Sequence, residues 1–496
     1  MNGVANVKRG EILLGIDLGT SAVKALALEA TTGQTLGEGR ADYELLTPQP
    51  GWAEGDPEEW WRQTVRAVRM ALQLLEPEQV VAVGVTGQMH GLVPLDAAAR
   101  PLRPALLWPD QRAVEMLPHF ASLPAALRQS LANPLAPGMA GPFLCWLAEK
   151  EPESFSRLRW ALQPKDWLRL RLTGEVASEG SDASATLLYD LPRDRWASDV
   201  MAALGLSAEL LPPLRSSDER AGELTAQAAQ ELGLRAGLPV ATGAADVAAS
   251  LLGAGLLSVG PALFSLGSGA QFASLCEQPL ADPLLRTHLY RAADGRHWYR
   301  MAAVQNAGLV LDWVRRRYQA SWSELYASSQ RVLPPEDPLL FLPCLTPERP
   351  YHPRPLAAGW LHLRLDHERS HLFQAALEGV AFSMRLALEA LPGAEGIAQI
   401  VVAGGGSLHP GWRQMLADVL GRELSALAEK EIAVRGAALL AGRAAGRWKK
   451  TGDLAALKPG VLTITSPGPH SPIYQTRYLR YRDLLLSSSA AVLEAG

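Results

Sequence analysis

Cysteine is scarce in this chain: 496 residues carry three, Cys145, Cys276 and Cys344, in no paired spacing. That excludes a disulfide framework and a cysteine-rich zinc site, and suits a reducing compartment. Neither sign of charge is in excess. With 47 Lys and Arg against 51 Asp and Glu, the formal net charge is -4, which gives no electrostatic footprint for nucleic acid or an anionic membrane. The opening residues MNGVANVKRGEILLGIDLGT lack the long apolar core and small-residue cleavage site of a signal peptide, so the expected location is cytoplasmic. Familiar catalytic patterns are missing as well. There is no Ser-His-Asp signature, no CxxC, no P-loop GxxxxGK[ST] and no dinucleotide GxGxxG.

The most telling absence lies between Arg235 and Glu277. This stretch, which includes PVATGAADVAASLLGAGLLSVGPALFSLGSGAQFASLC, holds no Lys, Arg, Glu or His and a single carboxylate, Asp246. Glycines and Pro261 break it too often for a membrane span, so a buried helix, a turn and a strand are expected. An acid in so apolar a run is costly to bury unless it is hydrogen-bonded, paired or employed. Asp246 is therefore the first candidate for chemistry, with an exposed or helix-capping aspartate as the plainer reading.

What is present is a soluble globular composition, 48% hydrophobic and 20% charged, in a chain too long for one ordinary core. Two large domains are expected, 11–255 and 256–486, followed by a loose tail over 487–496. ILLGI and VKALAL read as short buried strands joined by a Gly-Thr-Ser turn. DPEEWWRQTVRAVRMALQLL is a helix with Asp56 as N-cap and Pro57 at its first position. VVAVGVTG is a fully buried strand ending at the loop GQMHG, and this order argues for an α/β domain. From Arg112 to about Arg235 the pattern reads as mostly helical. PALFSLGSGAQFASL then repeats the plan of the first hairpin, which suggests two related lobes with a cleft between them. HLFQAALEGVAFSMRLALEAL is a further helix, AQIVVAGGGSLHPGWRQMLADVLG reads strand, triple glycine, helix, and TRYLRYRDLLL is a helical finish.

Three glycine-rich tips supply parts of a nucleotide site: Gly19-Thr20-Ser21, Gly267-Ser268-Gly269 and Gly404-Gly405-Gly406. Glycine lets backbone N–H groups approach phosphate closely, and a hydroxyl adds a donor. Each tip alone reads as a plain turn; together they favour a nucleotide held between lobes. Asp17, just before the first tip, is placed to hold Mg²⁺ through water, with a turn-capping role as the alternative. Gln88, Met89 and His90 follow a buried strand, where α/β clefts collect ligand contacts. Asp110 and Arg112 in LLWPDQR, and Lys165 and Asp166 in QPKDWLRLRLTG, could bond a polyhydroxylated ligand or form a structural ion-pair network. Spacing favours the network, and Asp110 is carried forward as the substrate candidate among them.

GIDLGTSAVKAL, GVTGQMHGLVPLD, LLWPDQR, PKDWLRLRLTGEVASEGSDASATLLYDL, TGAADVAAS, SLGSGAQF, EGVAFSMR and GGGSLHPGWRQMLADVLG occur in the order expected of FGGY carbohydrate kinases. The resemblance runs from about Glu11 to Leu486. It implies an α/β, two-lobed actin-like ATPase fold of the ribonuclease H-like type with a central cleft. Sugar would sit against the first domain and ATP mostly on the second. The implied partners are a small-molecule sugar and ATP with Mg²⁺, and neither nucleic acid nor membrane; a homodimer stays open. Carried onto matching positions, Asp246 is the general base, and Met89 and His90 line the sugar pocket. Asp17 and Thr20 lie by Mg²⁺ and phosphates, Gly267 and Ser268 by the phosphates, and Gly404 to Gly406 by the adenosine part.

The motifs look most like members acting on the ketopentose D-xylulose. Another sugar or polyol, such as ribulose or glycerol, and a catalytically weak sugar sensor are the alternatives. Four departures from the family pattern stand out. The usual Gly-Asp-Asn is Ala245-Asp246-Val247, and Trp-Asn-Asp-x-Arg is Trp108-Pro109-Asp110-Gln111-Arg112. Gly-Thr-Ser-Gly becomes Gly267-Ser268-Gly269-Ala270, and the basic-Ser pair after the triple glycine is Leu408-His409.

Overall fold

A computed structural model describes residues 10–346, 348, 357–404 and 409–490, with backbone alone for 486–490. Its first lobe grows from the hairpin that the Gly-Thr-Ser turn closes: β1 (Ile12–Leu18), β2 (Ala22–Glu29) and β3 (Thr35–Asp42) form an antiparallel meander. Helix α1 (Pro57–Ala71) starts where Asp56 accepts the Glu58 N–H, and buries Trp60, Trp61, Thr64 and Val68. It delivers the chain to β4 (Val80–Gly87), which pairs with β1 in parallel.

The segment from Arg112 to Arg235 is less helical than its pattern suggested. Short helices, including α2 (Pro164–Thr173) and the single turn α3 (Gly180–Ala183), alternate with strands of two to four residues such as β5 (Arg220–Glu223). Frequent Pro and Gly stop each helix early. The sheet is completed by β6 (Pro239–Ala241) and β7 (Ala244–Ala245), both parallel to β4. The chain then enters α4 (Asp246–Gly253).

The second lobe repeats the plan. Strands β8 (Ala262–Leu266), β9 (Ala270–Cys276), β10 (His288–Arg291) and β11 (Trp298–Val304) are antiparallel neighbours in the order β8-β9-β11-β10. After the long helix α5 (Arg369–Ala390), β12 (Gln399–Ala403) pairs with β8 in parallel. Helix α6 (Pro410–Leu420) leads to β13 (Glu423–Leu427), parallel to β12. The first lobe is therefore three antiparallel strands and the second four, each set extended by parallel strands on the other side of its first strand, as the two glycine-rich hairpins implied. Further elements include α7 (Ile432–Ala444), β14 (Val461–Thr465) and α8 (Ser471–Ala490), which continues into the segment expected to be a loose tail. Among the described residues no helix is long and apolar enough to cross a membrane.

Helix α7 belongs to the end of the chain yet lies on the first lobe's sheet. Its small residues allow contact at backbone distance. A Cβ placed on Gly84 would fall 1.9 Å from the Ala437 carbonyl oxygen, and one on Gly436 would fall 1.9 Å from that of Ala249 in α4. No neighbouring backbone can yield that much space. Gly84→Val is expected to lower stability by about 3 kcal/mol or more, read as a shifted urea midpoint. Gly452→Ala, at a glycine with nothing within 4 Å, should leave the midpoint unchanged.

Candidate active site

Strands β1, β4 and β7 run parallel, so their carboxyl ends meet at one edge. Register makes this explicit: Asp17 lies opposite Thr86, and Leu18 and Ala245 both lie opposite Gly87. The residues that leave this edge are Asp17, Gln88 and Asp246. Crevices outside the carboxyl ends of such strands are where open α/β sheets hold ligands.

Asp246 opens α4 and stays partly accessible at the cleft. Its Oδ1 accepts the N–H of its own neighbour Val247 at 2.7 Å. Burial pushes its carboxyl up to about 7, the Asp17 carboxylate pushes in the same direction, and the Val247 N–H offsets part of it. Asp17 is buried, and its Oδ1 has no hydrogen-bond partner. Burial raises its pKa to about 6; the Lys24 ammonium opposes this, and Glu431 adds to it. Gln88 is 2% exposed, yet neither polar atom of its amide finds a hydrogen-bond partner. A buried amide left this way is costly unless something else satisfies it.

The sugar-loop candidates beside Gln88 lean on the second lobe. His90, at φ 65°, bonds the Ala185 carbonyl through Nδ1 at 2.7 Å and meets the Tyr290 ring edge-on at 6.0 Å. Tyr299 donates its hydroxyl to the Met89 sulfur at 3.6 Å. Tyr290 and Tyr299, on β10 and β11, were not singled out in the sequence. Alternating apolar strands gave no sign that these rings cross between lobes.

The glycine tips occupy matching edges. At the first, Thr20 Oγ1 accepts from the Trp108 indole at 3.0 Å, and Ser21 is exposed beside it. At the second, Gly267, Ser268 and Gly269 are exposed, and the Gly267 N–H bonds the Gly269 carbonyl at 2.9 Å. Gly404 follows β12, whose Ala403 lies opposite Ser265 of β8, so it stands beside the second tip. Gly405 and Gly406 lie outside the described residues.

Asp110 is a correction. It is fully buried, and its two oxygens accept from the Ala53 N–H at 2.6 Å, the Arg112 N–H at 2.8 Å and the Arg112 guanidinium at 2.8–3.0 Å. Arg112 in turn pairs with Glu54 at 2.7 Å and stacks 3.5 Å from the Trp52 ring centroid. With both oxygens committed, Asp110 anchors a loop and offers nothing to a substrate. Lys165 and Asp166 likewise form the ion network that their spacing favoured. Lys165 Nζ lies 2.7 Å from Asp166 and 3.3 Å from both Glu179 and Asp182, all of them buried.

Comparison with known proteins identifies the family. The FGGY family of carbohydrate kinases matches with its N-terminal domain over residues 12–253 and its C-terminal domain over 262–445. The xylulose kinase of Escherichia coli is 34% identical over 476 residues, 95% of this chain and 98% of that protein. The xylulose kinase of Bacillus subtilis is 32% identical over 89% of this chain and 90% of its own. The crystal structure of a "xyloylose kinase" from Brucella ovis superposes with a TM-score of 0.89 at 33% identity, covering 97% of this chain and all of that one. The two-lobed, actin-like fold and these matches along nearly the whole length establish that the chain belongs to the FGGY family of carbohydrate kinases.

Proposed function

We propose that this ATP-dependent sugar kinase phosphorylates the terminal hydroxyl of D-xylulose to give D-xylulose 5-phosphate, with Asp246 as general base. The observation that carries the reading is the meeting of Asp17, Gln88 and Asp246 at one sheet edge, two raised carboxylates around an unsatisfied amide. The names of the relatives supply the choice of sugar.

An alcohol is too weak an acid to lose its proton beforehand, so the base must receive it as the new bond to phosphorus forms. Asp246 suits that step. Val247 holds Oδ1, which leaves Oδ2 to take the proton, and a pKa near neutrality matches the working pH. Gln88, Met89 and His90 orient the sugar on the first lobe. The Gly267–Gly269 tip and Gly404 receive the phosphates and the adenosine part from the second. Among the described residues no cluster of three His, Cys, Asp or Glu could hold a metal ion by itself. The buried, unpartnered Asp17 Oδ1 fits an Mg²⁺ ion whose other contacts are phosphate and water. Such an ion neutralises phosphate charge when bound. Asp17 and Thr20 would lie beside it.

ADP release measured against D-xylulose, ribulose, glycerol and gluconate should be greatest with D-xylulose. Asp246→Asn should lower it about 10²- to 10⁴-fold, since an amide is no base. Sugar binding without ADP release would instead point to a sensor.

The pH dependence follows from the same carboxyl. The base works only when deprotonated, so kcat/KM should climb as pH rises through about 7 and fall away on the acid side. A flat profile from pH 5.5 to 8 would remove Asp246 from the role.

Stability should run the opposite way. A carboxyl whose folded pKa is raised destabilises the fold above its unfolded pKa, and the penalty is complete above about 7. Asp246→Asn should therefore raise the melting temperature more at pH 8 than at pH 5.

A further inference from the structure

The Asp246 carboxylate has one hydrogen bond, from its neighbour's N–H. Among the described residues no side chain from another element bonds it, so its aim depends on the backbone that carries it. Every residue of the four that lead into Asp246 is held from outside its own segment. The Thr242 carbonyl accepts from Arg169 at 3.3 Å. The Gly243 N–H, at φ 90°, donates to the Ser217 carbonyl at 3.0 Å. The Ala244 carbonyl accepts from Thr86 Oγ1 at 2.7 Å. The Ala245 N–H, adjoining the base, donates to Ser181 Oγ at 2.9 Å.

Ser181 is fully buried and its hydroxyl proton is already committed. Glu179 receives it, the two carboxylate oxygens lying 2.8 and 2.9 Å from Oγ. Glu179 also accepts the N–H groups of Ser181 and Asp182 and the Ser217 hydroxyl, with Lys165 Nζ 3.3 Å away. An acceptor surrounded by donors alone leaves the Ser181 hydroxyl one orientation, lone pairs toward Ala245. The buried ion cluster thus ends in a directed acceptor beneath the base.

We propose that Ser181, oriented by Glu179, is a positioning residue for the general base: it fixes the Ala245 peptide, and through it the line along which the Asp246 carboxylate meets the sugar hydroxyl. This rests on the reading of Asp246 as the base. A displacement near 1 Å is enough to matter, because remote misplacement of that size costs about 10²-fold in rate.

The test compares purified full-length variants with D-xylulose and ATP. Ser181→Ala removes the acceptor and should lower kcat about 10- to 100-fold, with KM for both substrates held near wild type. Ser181→Cys fills the same space with a poorer acceptor and should fall between the two. Thr64→Ala removes an equally buried hydroxyl, bonded to the Trp60 carbonyl within α1 and away from the Asp246 segment. It should lose comparable melting temperature while keeping kcat. A kcat for Ser181→Ala within about twofold of wild type, or an equal kcat loss in Thr64→Ala, would overturn the positioning role while leaving the base assignment intact. Turnover that persists in Asp246→Asn, run alongside, would overturn both.

Discussion

The backbone-level contact of α7 with the first lobe is the constraint on which the site depends. One face of this helix meets β1 and β4 at Gly15 and Gly84, and another meets α4 at Gly253 and Gly436. The two acids stand on elements that α7 touches: Asp17 on β1 and Asp246 at the start of α4. Any side chain in these contacts would push the helix off the sheet and disturb the elements that carry Asp17 and Asp246. Arg435 secures the helix by donating to the carbonyls of Gly33 at 2.6 Å and Leu457 at 2.5 Å. Glu431, just before the helix, pairs with Lys24 at 2.6 Å. Lys24 lies opposite Asp17 across the β1–β2 ladder. The same packing that fixes geometry therefore sets charge: Lys24 lowers the Asp17 carboxyl, and Glu431 raises it.

Two neighbouring carboxylates, one buried and one partly buried, are an expensive arrangement for a fold and a useful one for a kinase. Burial and mutual repulsion carry Asp246 toward neutrality, where a carboxylate accepts a proton more readily than an exposed one. The Asn that usually follows the base is Val247 here, so relief comes from the Val247 backbone N–H alone. The departure removes a side-chain amide and leaves this backbone contact in place.

Both hairpins and the strands after them were legible because buried strands bounded by Gly, Thr and Ser turns leave a strong local signal. Asp246 stood out through the absence of charge around it, a property a sequence displays directly. The middle segment was less legible, since apolar residues spaced for helices were cut short by Pro and Gly into turns and two-residue strands. Asp110 misled for a different reason. An acid beside an aromatic and an arginine looks the same whether its oxygens face a sugar or are consumed by Arg112 and the Ala53 N–H. Tyr290 and Tyr299 could not be read at all. Their meeting with Met89 and His90 joins residues some 200 positions apart in the chain.

Those long-range contacts converge on one short segment, 179–185, written SEGSDASA from Ser178. Ser181 Oγ holds the Ala245 N–H ahead of the base. Ser184 Oγ accepts the Arg291 N–H of β10 at 3.0 Å, and the Ala185 carbonyl takes His90 Nδ1 at 2.7 Å. The residue before Asp246, His90 and the second lobe are thus each bonded to the same short segment. Asn133 strengthens the lobe contact by bonding both the N–H and the carbonyl of Leu289 in β10. A segment shared in this way leaves little freedom for Asp246 to drift relative to the loop that carries His90. Because β10 is fastened to that segment, a movement of the second lobe toward or away from the cleft is transmitted to it as well. With Asp246 as the proposed base, closure of the cleft and alignment of its carboxylate would both act through this one set of buried hydrogen bonds.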